Sequence, residues 1–78
     1  MTARDYIEKL VKGIVDHPED IKVEEEEENS KIALIINTNP EDLGKVIGKE
    51  GRTIRAINYL LNVYEIKNGG NYILKMKK

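Results

Sequence analysis

The 78 residues predict an α+β fold of order α-β-β-α-α-β: a three-stranded mixed sheet with three helices on one face. Three observations predict it. Apolar residues recur at three- and four-residue spacing near the start and again over residues 54–64, the stripe of an amphipathic helix. Two strand-like runs flank the turn signal Asn29-Ser30. A last alternating run, Tyr72 to Met76, follows the breaker Asn68-Gly69-Gly70.

Tyr6, Ile7, Leu10, Val11, Ile14 and Val15 form the first stripe. Thr2 caps it, and Asp16 to Asp20 stops it, because Pro18 disfavours helical geometry at His17. Residues 20–28 read as an edge strand in which five consecutive glutamates discourage edge-to-edge pairing. A hairpin leads to residues 31–37, where Ile32 to Ile36 are apolar on both faces and mark the central strand. Asn39 is the cap of the next helix, Pro40 its first residue, and Glu41 and Asp42 suit its positive dipole end. Leu43, Val46 and Ile47 belong to that helix, and Ile54, Ile57, Leu60, Leu61 and Tyr64 to the helix after Gly51. The helical crossover makes the central and last strands parallel.

Composition narrows the function. One small domain, 1–78, leaves little room for a catalytic cleft beside its core. Cysteine is absent, so neither disulfides nor thiolate metal sites hold the fold. Arg4, Asp5, Glu8 and Lys9 interrupt any signal-like apolar run, and nothing approaches the ~20 apolar residues of a membrane span. A soluble cytoplasmic domain with no membrane partner is expected. No serine–histidine or cysteine–histidine pairing exists for nucleophilic catalysis, so no catalytic residue, no enzyme activity and no cofactor are expected. His17 lacks a second ligand at metal spacing and reads as helix-end surface. Tyr6, Tyr64 and Tyr72 fall on apolar faces, whereas Tyr59 lies off its helix's main stripe.

The net charge of -1 hides a division. Residues 1–42 hold 5 Lys/Arg against 12 Asp/Glu, and residues 43–78 hold 8 against 2. Local potential steers a ligand more than the sum does.

The basic half contains Gly44-Lys45-Val46-Ile47-Gly48-Lys49-Glu50-Gly51-Arg52-Thr53-Ile54-Arg55-Ala56-Ile57. A Walker A loop fails, because Gly44 and Gly48 enclose three residues and Lys49 precedes Glu50 where a magnesium-binding hydroxyl is needed. A dinucleotide fingerprint fails on spacing. Gly48-Lys49-Glu50-Gly51 between two short helices survives. Without Cβ atoms at its ends, a sugar-phosphate backbone approaches the peptide closely. The N–H groups and dipole of the following helix favour an anion, with Lys49 and Arg52 flanking the point. Two glycines also permit a tight helix–helix turn, and Gly44 reads as easing the packing of the first short helix.

Val46 to Ile54 resembles the KH-domain signature at every position, and the element order resembles the type II arrangement. With "VDHPED" beside "PEDLGKVIGKEGRTIRAI", the whole chain resembles the bacterial single-KH RNA-binding proteins of the KhpA (YlqC) family. The resemblance places a KH core at about 30–78, with an N-terminal helix and edge strand over about 2–28. It implies a single-stranded RNA partner, a role as post-transcriptional regulator or RNA chaperone, a homodimer, and a larger KH-containing protein partner. The Gly48–Gly51 loop would clamp the backbone of about four nucleotides. Val46, Ile47 and Ile54 would form the apolar floor for bases, and Lys45, Arg52 and Arg55 the rim. Glu50 departs from a cationic loop and would weaken phosphate contact unless it points away. The rival reading is a protein-interaction adaptor that uses the acidic half.

Overall fold

The first helix, α1 (Ala3–Lys12), starts where Thr2 Oγ1 accepts the Asp5 N–H at 3.1 Å. In the computed structural model, which describes residues 1–77, Ala3, Ile7 and Val11 are its buried face. The helix ends at Lys12, short of the Val15 that its apolar spacing suggested, and Gly13 caps it by donating to the Leu10 and Lys9 carbonyls. Ile14 is left exposed, while Val15 still packs on the core.

The reason lies 26 residues downstream. Asp42, 1% exposed, accepts the Asp16 N–H at 3.1 Å and the His17 N–H at 2.9 Å. Those two donors are drawn across to the start of a different helix, so they cannot continue α1. Asp42 suits a helix start as its position suggested, but its carboxylate serves another segment. Pro18–Asp20 then forms a single 3-10 turn before the first strand.

Strands β1 (Lys22–Glu28) and β2 (Lys31–Asn37) pair antiparallel about the turn, where Asn29 and Ser30 both take positive φ. The last strand, β3 (Tyr72–Met76), pairs parallel to β2, so the order is β1-β2-β3. Between them, a 3-10 turn at Pro40–Asp42 opens α2 (Leu43–Ile47), with Asn39 Oδ1 accepting the Glu41 N–H at 2.8 Å. A second tight turn, Lys49–Gly51, leads into α3 (Arg52–Asn68).

The helices cover one face of the sheet. Val23, Leu34 and Ile36 from the strands meet Ile7, Val11, Val46, Ile57 and Leu61 in the core. Tyr6 stacks on Tyr64 with ring centroids 5.5 Å apart, and Tyr64 Oη donates to the Met1 carbonyl at 2.7 Å. Among the described residues, no helix covers the second face of β2. Ala33 is buried there between its cross-strand partners Glu26 and Ile73. Lys75 reaches across β2 to Glu28 at 2.6 Å, and Lys77 to Glu24 at 3.6 Å. β2 is central, as expected, but only one of its faces lies beneath the helices.

Candidate nucleic-acid interface

The loop between α2 and α3 is shaped by backbone conformations that side chains disfavour. Gly48 adopts φ +78°, ψ 170° and Gly51 φ +73°, ψ 17°. A Cβ at Gly48 would lie 2.7 Å from Thr53 Cβ and 2.8 Å from Thr53 N. Gly48 is therefore the place where α2 closes on α3. At Gly51 the space is open, the nearest atom being Arg55 Nη1 at 3.4 Å, and the requirement is conformational. Glu50 takes the same left-handed region (φ +56°, ψ 25°) without a glycine's freedom. A Cβ at Gly44 would meet nothing within 4 Å, so this glycine eases no packing.

The loop uses part of its own hydrogen-bonding capacity. Gly51 N–H donates to the Gly48 carbonyl at 3.1 Å, and Arg52 N–H to the Lys49 carbonyl. The N–H groups expected to be free for an anion at the start of α3 are thus partly spent inside the turn. Positive charge stands around it instead. The side chains of Lys49 and Arg52 are exposed, and the Arg55 guanidinium lies over Gly51. Glu50 is exposed and points toward Arg52 at 4.0 Å, a loose pair that leaves both groups largely in water. Lys45 is paired with Asp16, whose hydrogen bond and charge raise the lysine's pKa above its ordinary value.

The expected apolar floor divides. Val46 is fully buried in the core and has no face for a base. Ile47 is half-buried at the end of α2, and Ile54 is half-buried where α3 faces a groove. The groove, about 460 Å³, lies between α3, which supplies Ile54, Arg55, Asn58 and Asn62, and the strand residues Tyr72–Leu74. Its loop end carries Arg55.

The strand side of the groove is a free sheet edge. Ile32 N–H donates to the Asn71 carbonyl and Lys77 N–H to the Ile36 carbonyl. In a parallel ladder alternate residues bond the neighbouring strand, so Asn71, Ile73, Lys75 and Lys77 face β2 while Tyr72, Leu74 and Met76 present their peptides outward. Glu65 closes the first of these, its Oε2 accepting the Tyr72 N–H at 2.9 Å. The Leu74 peptide, on the edge at the groove, is the next.

Sequence reasoning missed Asn58, Asn62, Glu65 and this edge. The asparagines follow Ile54 at successive four-residue steps, a spacing that places them on one helix face. No residue type marks an unpaired strand peptide. The reading of His17 also changes, since Glu19 and Asp20 stand close enough for ligand atoms of the three to lie within 4.8 Å of one another. All three sit on an accessible turn. His17 Nε2 is 3.1 Å from Glu41 Oε1, and Asp20 Oδ2 accepts from Asn39 Nδ2 at 3.0 Å. Burial lowers the His17 pKa, but Asp42, Glu41 and Glu19 together outweigh it and leave the pKa raised.

A profile described as KhpA/KhpB, KH domain, matches residues 4–76. The chain belongs to this KH family. Among curated relatives, the RNA-binding protein KhpA of Thermotoga maritima is 46% identical over 59 residues, 76% of this chain and 79% of that one. The RNA-binding protein KhpA of Bacillus subtilis is 53% identical over 53 residues, 68% of this chain and 65% of that one. The RNA-binding protein KhpA of Clostridium perfringens is 36% identical over 73 residues, 94% and 97% of the two chains. No solved structure matches significantly. The KH assignment agrees with the α+β order and three-stranded mixed sheet. No helix among the described residues is long and apolar enough to cross a membrane.

Proposed function

We propose that this KH domain is a non-catalytic, cytoplasmic module that binds single-stranded RNA. The carrying observation is the convergence of three exposed cations, Lys49, Arg52 and Arg55, on a glycine-bounded turn. That turn stands at one end of an open groove with a free strand edge. Phosphates would lie against the turn, and bases would reach into the groove over Ile54 and Leu74. Relatives named RNA-binding proteins support the same partner.

Lys49→Asp combined with Glu50→Asp tests the clamp. Both side chains are exposed, and Asp tolerates the left-handed region better than most residues, so the variant stays folded by circular dichroism. Its affinity for a short labelled RNA is expected to fall about tenfold or more, because one attractive charge becomes repulsive. Unchanged affinity, or a wild type that never binds, would favour the protein-interaction adaptor.

Self-pairing has its own support. Ala56, Tyr59, Val63 and Ile66 repeat along α3 at steps of three and four on the side away from the core, the spacing of a two-helix seam. Ile66 is 85% exposed and Tyr59 66%, although water is a poor solvent for both. A second copy presenting the same stripe completes the seam and leaves each groove open, so two weak sites act on one strand. The same stripe would serve the larger KH-containing partner. Ile66→Glu is expected to convert a dimer to a monomer in light scattering with the fold intact. A wild-type monomer at all concentrations would remove this part of the proposal.

A further inference from the structure

We infer that the turn at Pro18–Asp20 binds a divalent transition ion such as zinc, with His17 Nδ1, Glu19 and Asp20 as its protein ligands. None of these residues belongs to the proposed RNA surface, and the inference does not rest on that surface. The tripeptide Pro-Glu-Asp occurs twice, at 18–20 and 40–42, each time as one 3-10 turn. Before the second turn stands Asn39, whose Oδ1 is spent on the Glu41 N–H at 2.8 Å. Before the first stands His17, whose side chain caps nothing. The side-chain acceptor consumed at one turn is thus left over at the other.

The second turn sets the first in place. Buried Asp42 holds the Asp16 and His17 N–H groups, and Asn39 Nδ2 donates to Asp20 Oδ2 at 3.0 Å. Glu41 Oε1 stands 3.1 Å from His17 Nε2. A carboxylate there favours the tautomer with its hydrogen on Nε2, which leaves the lone pair on Nδ1. That nitrogen faces Glu19 Oε2 at 3.7 Å, acceptor against acceptor. A cation between them satisfies both. Asp20 supplies the third donor, since one ligand atom from each of the three residues lies within 4.8 Å of the others. Ligands about 2.1 Å from a tetrahedral ion stand roughly 3.4 Å apart, so small rotations of exposed carboxylates close the set. Glu41 then acts as the outer carboxylate that orients a ligating imidazole.

The donor set selects the ion. One imidazole nitrogen with two carboxylates suits zinc. Magnesium and calcium take oxygen ligands and gain nothing from the imidazole. Three ligands on a surface turn leave the remaining position to water, so the ion is exchangeable. The glutamates of β1 compete for any cation, but a strand sends successive carboxylates to opposite faces and this one carries no histidine.

His17 is the single histidine of the chain, so the untagged protein labelled with nitrogen-15 histidine gives one pair of imidazole resonances. Zinc is expected to shift the Nδ1 resonance strongly and Nε2 weakly, and an about tenfold excess of magnesium should not reverse this. Glu19→Gln with Asp20→Asn should weaken zinc binding about tenfold or more, because a lone imidazole is left. His17→Gln keeps the N–H that Asp42 holds and should leave the metal-free thermal midpoint close to that of wild type. It should also remove the rise in midpoint that zinc gives wild type by binding the folded state. Glu24→Gln with Glu26→Gln should leave the zinc titration unchanged. No imidazole shift up to millimolar zinc overturns the site. A shift that falls on Nε2, or that survives loss of both carboxylates, shows an adventitious ion only and overturns it equally. Loss of zinc binding in the β1 variant places the ion on the strand and does the same.

Discussion

A methyl group at Gly48 would press into Thr53 at the first turn of α3, at a φ of +78°. One at Gly51 would find open space at a φ of +73°. The two glycines of one motif are thus required for different reasons, and substitution separates them. Gly48→Ala combines a backbone clash with left-handed strain and should cost about 3 kcal/mol. Gly51→Ala carries the conformational penalty alone, about 1 kcal/mol. Urea midpoints at constant slope measure both, and equal costs would contradict the packing role of Gly48. The motif was legible because glycine spacing and the flanking aliphatics are written in residue types. The division of labour among those aliphatics was not. Val46 and Ile47 are adjacent and chemically alike, yet helix rotation buries the first completely and leaves the second at the surface.

Among the elements, the caps and strands were the most legible parts. Thr2 and Asn39 accept the N–H groups expected of them, and β2 has the bounds its apolar run suggested. The end of α1 was not, because its cause is a contact made from 26 positions away. Asp42 looks in sequence like an ordinary acidic residue in a first helical turn. In the fold it is a buried carboxylate satisfying two peptide N–H groups of another segment. Asp42→Ala leaves both donors without their acceptor and should destabilise the domain by about 2–4 kcal/mol. Asp42→Asn keeps one acceptor oxygen and should lose less. Thermal unfolding of the two variants orders them, and an alanine variant as stable as wild type would show that the clamp is dispensable. The groove was half legible. Of its helical wall, Ile54 and Arg55 were read and Asn58 and Asn62 were missed, and its other wall is main chain, about which side-chain chemistry is silent.

At the scale of the molecule, the division of charge acquires a geometry. The glutamates lie along β1, at one edge of the sheet, whereas Lys49, Arg52 and Arg55 stand around the turn that opens α3. The proposed clamp would therefore draw RNA to one region of a protein whose net charge is -1. Three phosphate contacts predict that log affinity falls with log salt at a slope of about -2 for a single strand. Titration from low to moderate ionic strength measures it, and a flat response would contradict phosphate-led binding.

The two margins of the sheet are consequently unequal as sites of assembly. The β3 margin carries free peptides and no acidic row, so it accepts hydrogen bonds from whatever occupies the groove. The β1 margin has peptides of its own to offer, but five consecutive carboxylates keep other chains from aligning there. That protection resides in the charges of one strand, so substitution of the run by neutral residues removes it. A molecule with one available margin can form only a finite complex. With that row neutralised by substitution, successive molecules can join margin to margin, and a KH domain becomes a unit of open-ended growth.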